Sequence, residues 1–309
     1  MTFHEASTRF LNDRRVRNFS PRTLQGNDYD LQLIARFMAA RGIEAVETVT
    51  LTALRDFHEW LYREPTKRGT TRGVRNQYQF TTLLKTFFGW LHVQGILPHN
   101  PATALEYARL PQELPRQVLT PGEACRVLER IDTTTPVGYR DRTIMEVFYA
   151  TGIRCQELID LCVPDVNLEE ELLRINKGKG NKDRVVPLSR IACRYLETYL
   201  KAVRPELMRR RGEDRLFLSW RGRPLHRVNL IKLVTAHAKA AGLKKHVTCH
   251  IWRHSCATHL LKNDANLRHV QEILGHGCLS TTERYLHLNI DDLKAAHRRF
   301  HPREQKERD

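Results

Sequence analysis

A proline-rich stretch near residue 100 divides this chain of 309 residues into two parts. Residues 98–101 and 110–116 are rich in proline and show no apolar periodicity. Proline removes a backbone N–H and disfavours helix in the residue before it, so neither segment suits the interior of a helix. We therefore predict an interdomain linker at residues 109–118, between a first domain at residues 1–108 and a second at residues 119–309.

Apolar residues in the first domain recur at the three- and four-residue spacing of an amphipathic helix. Two sets carry this pattern: Leu31, Ile34, Ala35 and Met38, and then Leu83, Leu84, Phe87, Phe88 and Leu91. Ser20 followed by Pro21 is typical of a helix start, and Gly42 and Gly95 suit helix ends. The pattern predicts a bundle of about four helices.

The second domain is predicted to be mostly helical with one small sheet. Thr120, Pro121 and Glu123 form the pattern of a capping box at its first helix. Strands are predicted at Leu161–Leu168, Glu171–Asn176 and Arg184–Leu188, with the turn residues Gly178, Gly180 and Asn181 before the last of them. The predicted fold class is mainly α with a small antiparallel β-sheet of three strands.

The chain is strongly basic. It has 51 Lys and Arg against 35 Asp and Glu, a formal net charge of +16 and a pI of about 9.8. Only 14 of the basic residues and 10 of the acidic ones precede residue 109, so most of the excess lies in the second domain. Such a surplus favours a polyanionic partner.

Several classes of protein are disfavoured by the same sequence. No apolar run approaches the roughly 18 residues of a membrane span and no secretion signal begins the chain, so we expect a cytoplasmic protein without a membrane partner. Seven cysteines, odd in number and without C-x-x-C spacing, are expected to be reduced thiols rather than disulfides or zinc ligands. His250 and His254 have the spacing of a zinc protease string, but Ile251 stands where that string needs glutamate. We predict neither metal nor cofactor.

Six side chains of the second domain suit chemistry at a phosphodiester. They are Arg154, Lys179, His250, Arg253, His276 and Tyr285. Arginine forks match the non-bridging oxygens of a phosphate, and a lysine or histidine can deliver a proton to a leaving oxygen. Spacing of three places His250 and Arg253 on one helical face. A tyrosine has an ordinary pKa near ~10, so Tyr285 becomes a nucleophile only when cations surround it.

Four segments that contain these residues occur in a characteristic order. They are residues 151–158 (TGIRCQEL), 177–188 (KGKGNKDRVVPL), 250–259 (HIWRHSCATH) and 274–285 (LGHGCLSTTERY). Together they resemble the tyrosine site-specific recombinases, or phage-type integrases, and most closely the bacterial Xer-like members. The resemblance implies a helical core-binding domain that contacts DNA, followed by a mixed α/β catalytic domain.

The resemblance also implies a role for each residue. Tyr285 would attack a backbone phosphate and form a 3′-phosphotyrosine, so that strands are cut and rejoined without ATP or metal. Arg154 and Arg253 would neutralise the phosphate, and His276 would donate a hydrogen bond to it. His250 would exchange a proton with the tyrosine oxygen.

Lys179 is expected to protonate the leaving 5′ oxygen, with its neighbours Lys177 and Lys182 as rivals for that role. Glu157 is expected to support the site by orienting an arginine or a histidine, with an ion pair or a helix cap as the alternative. Lys177, Lys182, Arg184, Arg221 and Arg223 are candidate DNA contacts. The run Arg209 to Arg211 is either a solvated surface or a further phosphate contact.

The resemblance further implies double-stranded DNA as the partner and self-association into a tetramer on two DNA sites. A C-terminal helix at residues 291–300 is hypothesised to dock on a neighbouring protomer through Leu293, Ala296, His297 and Phe300. A type IB topoisomerase and a DNA-binding protein without catalysis are the alternatives. The sequence identifies neither the target DNA, nor accessory proteins, nor the event served, which could be integration, excision, transposition or dimer resolution.

Overall fold

A computed structural model describes residues 1–65, 69–111, 117–176, 183–275 and 290–305. The chain forms two compact units, Met1–Leu114 and Pro115–Asp309. Each unit has its own hydrophobic core. Among the described residues, every helix is too short or too polar to cross a membrane.

The described part of the first unit is helical, as predicted. Its α-helices are α1 (Phe3–Val16), α2 (Pro21–Ala39), α3 (Leu51–Arg63) and α4 (Val74–Val93), with a 3₁₀ turn at Val46–Thr48. Ser20 caps α2 by accepting the Thr23 N–H at 3.1 Å, and Pro21 occupies the first helical position. The predicted start of this helix is therefore confirmed.

Phenylalanines fill much of the core of the first unit. Phe57 lies 5.2 Å from Phe37 and 5.6 Å from Phe80 between ring centroids, in tilted or edge-to-face arrangements. Phe10 meets Phe87 edge-to-face at 5.3 Å. Such geometry is favoured because the positive ring edge faces the negative ring face. The apolar stripes predicted on α2 and α4 also contribute to this core.

The second unit contains more helices and one sheet. Its described α-helices are α5 (Pro121–Glu129), α6 (Pro136–Thr151), α7 (Cys155–Asp160), α8 (Arg190–Thr198), α9 (Arg204–Leu207), α10 (Arg227–Ala240), α11 (Cys249–Lys262), α12 (Leu267–Leu274), α13 (Ile290–Phe300) and α14 (Pro302–Gln305). Thr120 and Glu123 form the predicted capping box on α5.

The sheet is antiparallel in the order β1 (Val166–Asn167), β2 (Leu172–Ile175) and β3 (Arg184–Pro187). The predicted first strand, Leu161–Leu168, is wrong in extent, because Val163–Asp165 forms a 3₁₀ turn instead. Pro164 favours that turn, and the Asp165 carboxylate accepts the Cys162 N–H at 2.8 Å.

The C-terminal helices pack on their own unit. Leu293, Ala296 and His297 of α13 are buried. His297 Nε2 lies 2.7 Å from the Ala150 carbonyl at the end of α6, and Arg303 Nε donates to Glu146 at 3.0 Å. The face of α13 that was hypothesised to contact a neighbouring protomer is thus covered by the same chain in this structure.

Candidate active site

Arg154 is positioned by the way α6 ends. Gly152 adopts the left-handed conformation, with φ of +56°, and its N–H bonds to the Phe148 carbonyl at 3.0 Å. A Cβ on Gly152 would lie only 2.8 Å from Leu274 Cδ2, so glycine allows α6 to end against α12. Two residues later, Arg154 caps α7 and turns its guanidinium to the Gly275 carbonyl, with Nη2 to O at 2.9 Å.

Arg253 reaches the same place from α11. Its Nη1 donates to the Gly152 carbonyl at 2.7 Å and its Nη2 donates to the Leu274 carbonyl at 2.8 Å. The last carbonyls of a helix lack partners within the helix and carry partial negative charge, so they bind cations well. The C-terminal end of α12 therefore accepts hydrogen bonds from both guanidinium groups, through the carbonyls of Gly275 and Leu274.

The proximity of these charges affects Arg253. Burial, together with Arg154 and Arg184 nearby, lowers the pKa of Arg253 to about 10. Arg253 nevertheless stays protonated at neutral pH. A guanidinium has more N–H donors than the carbonyl contacts use, so both arginines keep donors for an anion. An anion bound here would be attracted by two partly buried cations.

Glu157 lies behind the arginine pair and is buried. Its Oε1 accepts Arg154 Nη1 at 2.7 Å and its Oε2 accepts the Arg154 backbone N–H at 2.7 Å. Burial alone would raise the pKa of Glu157, but hydrogen bonds from Arg184 and Arg154 hold it at about 2. The predicted supporting position of Glu157 thus has a direct contact with one of the predicted phosphate ligands.

His250 is the second residue of α11 and is exposed. Thr248 caps this helix by accepting the Ile251 N–H at 3.4 Å. His250 precedes Arg253 by less than one turn, which agrees with the predicted common face. Exposure at the start of the helix leaves the imidazole accessible to a substrate.

The remaining predicted catalytic residues, Lys179, His276 and Tyr285, lie outside the described residues, as do Lys177 and Lys182. The described chain ends on one side at Gly275, which terminates α12 in the left-handed conformation with φ of +66°.

Arg184, a predicted DNA contact, pairs with Glu157 in this structure. Its two terminal nitrogens donate to the two carboxylate oxygens of Glu157, at 3.0 Å and 2.8 Å. The alternation of β3 carried a signal for this, because Arg184 shares a strand face with the fully buried Val186 while Val185 faces outward.

Arg221 and Arg223 lie in an exposed turn of the second unit. The Ser219 N–H bonds to the Arg223 carbonyl at 2.7 Å, and the Arg221 guanidinium carbon lies 4.6 Å from the centre of the exposed Trp220 ring. Both guanidinium groups are accessible, as a phosphate contact would require. Their part in DNA binding stays a prediction.

The sequence of the second unit matches a known family. Residues 117–291 match the phage integrase family. This chain belongs to that family. The matched range contains Arg154, Glu157, Arg253 and the segments in which Lys179 and Tyr285 lie. Among its relatives is tyrosine recombinase XerD of Listeria monocytogenes serotype 4b, to which this family member is 36% identical over 289 residues. The alignment covers 93% of this chain and 95% of that protein.

Two solved structures of integrases share the fold of this family member. The Tn1549 transposon integrase in complex with circular intermediate DNA has a TM-score of 0.68 and 19% identity, and covers 96% of this chain and 98% of that one. The lambda integrase tetramer bound to a Holliday junction has a TM-score of 0.67 and 18% identity, and covers 94% of this chain and 81% of that one. Their likeness establishes the architecture that carries the arginine pair.

Proposed function

We propose that this protein is a site-specific DNA recombinase that cuts and rejoins double-stranded DNA through a covalent 3′-phosphotyrosine at Tyr285. The observation that carries the proposal is the placement of Arg154 and Arg253 on adjacent carbonyls at the end of α12. Two guanidinium groups there bind the non-bridging oxygens of one phosphate and stabilise the charge that develops during in-line attack.

Proton transfer is assigned to the neighbouring residues. His250 exchanges a proton with the tyrosine oxygen, and Lys179 protonates the leaving 5′ oxygen. His276 donates a hydrogen bond to the same phosphate. The phosphotyrosine keeps the energy of the broken phosphodiester, so a second strand can be joined without an external energy source. Neither ATP nor a metal ion takes part in this scheme.

DNA is the proposed partner because the chain carries a net charge of +16 and because the similar integrases were solved on DNA. The lambda integrase structure on a Holliday junction is a tetramer, and we extend that assembly on two DNA sites to this chain. The helical first unit is proposed to be the core-binding domain and the second unit the catalytic domain. A cytoplasmic location belongs to the same proposal.

The test is to recover DNA that stays covalently attached to the protein. Cells that express the chain are lysed under denaturing conditions, the protein is purified, and the DNA that remains attached to it is sequenced. We expect a single shared sequence with the wild type and no adduct with Tyr285→Phe. Tyr62→Phe is the matched control, because Tyr62 is an exposed phenol in α3 of the first unit, and it should give the wild-type yield.

An equal adduct yield with Tyr285→Phe would refute the assignment of the nucleophile. Adducts with no preferred sequence, together with relaxation of supercoiled DNA by the purified protein, would favour a topoisomerase instead. An absence of any adduct with the wild type would favour a DNA-binding protein without catalysis.

A further inference from the structure

Arg184 makes a bidentate ion pair that the strand places next to the arginine site. It is the first residue of β3, and it pairs with Ile175 at the end of the β2–β3 ladder. Its Nη1 donates to Oε1 of Glu157 at 3.0 Å and its Nη2 donates to Oε2 at 2.8 Å. This fork-to-fork geometry fixes direction as well as distance. The side chain of Arg184 is only 14% exposed.

The third nitrogen of Arg184 faces α12. Nε approaches the Ile273 carbonyl at 3.4 Å. A Cβ on Gly275 would lie 2.8 Å from both Cζ and Nε of Arg184, so the absence of a side chain at Gly275 lets the guanidinium group approach the backbone there. Arg184 therefore contacts the last turn of α12, whose carbonyls accept hydrogen bonds from Arg154 and Arg253.

Glu157 connects Arg184 to Arg154. The same Oε1 accepts a hydrogen bond from both guanidinium groups, at 3.0 Å and 2.7 Å. Because Glu157 is buried, its carboxylate has little water to replace a lost partner. Loss of Arg184 would let Glu157 rotate toward Arg154 and change the direction in which Arg154 presents its remaining N–H groups.

We propose that Arg184 is a positioning residue, which aligns Arg154 through Glu157 and fixes the end of α12, and that it does not bind a DNA phosphate. This inference rests on the proposed function. It also connects the first residue of β3 to the arginine site, because Arg184 contacts Glu157 as well as the end of α12. Removal of a residue that contacts DNA lowers DNA affinity, whereas removal of a positioning residue lowers the cleavage rate in the bound complex.

The experiment measures DNA affinity and cleavage separately in Arg184→Met, Glu157→Gln and the double variant. The substrate is a nicked duplex of the sequence recovered in the trapping experiment, and the adduct is followed in a single turnover at saturating protein. We expect Arg184→Met to bind DNA within about twofold of the wild type with an unchanged salt slope. The cleavage rate should fall about 10- to 100-fold, as for other partners that orient a ligand.

The decisive result is the double variant. If Arg184 acts through Glu157, the double variant should cleave no more slowly than the slower single variant. Arg174→Met is the matched control, since Arg174 is an exposed arginine on the outer face of the same sheet, and it should cleave at the wild-type rate. Arg184→Lys keeps the charge but not the two-nitrogen fork, so its cleavage rate should lie between those of the wild type and Arg184→Met. If Arg184→Met does not fold, Arg184→Lys takes its place in the test.

A salt slope reduced by about one with an unchanged rate of cleavage in the bound complex would overturn the inference, because this is the signature of a lost phosphate contact. Multiplicative losses in the double variant would overturn it too. If the wild type forms no adduct, the proposed function itself has failed. A normal wild-type adduct with an unaffected Arg184→Met variant refutes the inference alone.

Discussion

Two buried histidines make the docking of α13 and α14 depend on pH. His297 and His301 lie with Nε2 at 2.7 Å and 3.0 Å from the carbonyls of Ala150 and Tyr149, so both are assigned as Nε2–H tautomers. Nδ1 of His297 has no hydrogen-bond partner among the described residues, and Nδ1 of His301 accepts the Arg303 N–H at 3.2 Å. A second proton on either ring would therefore be buried without an acceptor.

The rings also stack on each other, with centroids 4.6 Å apart and planes at 9°. Burial lowers the pKa of His297 to about 4, and burial together with His297 lowers the pKa of His301 well below 6.5. The charges of Glu171 and Arg298 act on the pKa of His297 in opposite directions, Glu171 raising it and Arg298 lowering it. The pKa of His297 is lower in the docked state than in the unfolded chain. The docked state therefore has its full stability above about pH 6.5 and loses that stability as the pH falls toward 4.

The loss can be worked out for His297 alone. A shift from 6.5 to about 4 corresponds to about 3 kcal/mol when fully expressed. Lowering the pH from about 7.5 to about 5 should weaken docking by about 2 kcal/mol, which is about a 30-fold change in the docking equilibrium. We expect hydrogen exchange of the α13 amides, corrected for the intrinsic rate, to lose at least that much protection over this range. His297→Gln removes one of the two titrating groups and should lose less protection, with the remaining loss due to His301.

The first unit supplies the internal control. Amides of α4 belong to a separate hydrophobic core. Burial lowers the pKa of His58 and raises the pKa of Asp30 to about 6 in this unit. Because falling pH acts on these two groups in opposite directions, α4 should lose less protection than α13 over the same pH range. Protection of α13 that does not change between the two pH values would refute the reasoning, and so would an equal loss in the wild type and in His297→Gln.

Two further predictions concern packing. Gly152→Ala should destabilise the second unit by about 1 to 3 kcal/mol in urea unfolding, because φ is +56° and the new Cβ would meet Leu274 at 2.8 Å. Gly26→Ala in α2 is its control and should be neutral or stabilising by up to about 1 kcal/mol, so equal losses would contradict the argument. Phe57→Ala should cost the first unit about 3 to 5 kcal/mol, since its ring is fully buried. Tyr62→Ala, on the exposed side of the same helix, should change stability by about 0.5 kcal/mol or less, and a similar loss there would refute the assignment of the core.

Much of the helical architecture was predictable from neighbouring residues. The caps at Ser20 and Thr120 formed where the sequence placed them, because a side chain satisfies a backbone N–H only three residues away. The first strand was predicted too long, since alternation from Leu161 to Leu168 gave no weight to the turn at Pro164. A strand needs a partner as well as a pattern, and β2 pairs with only two residues of β1.

The sequence by itself determined the family, the helical stripes and which side chains are suited to a phosphate. Only the tertiary structure decided that Arg253 binds the carbonyl of Gly152, which is 101 positions away, and that Arg184 pairs with the carboxylate of Glu157. Caps and periodicity depend on residues within one or two turns, so they can be read locally. Ion pairs depend on which surfaces meet after the chain has packed, and a basic residue looks the same in sequence whether it faces DNA or a buried carboxylate.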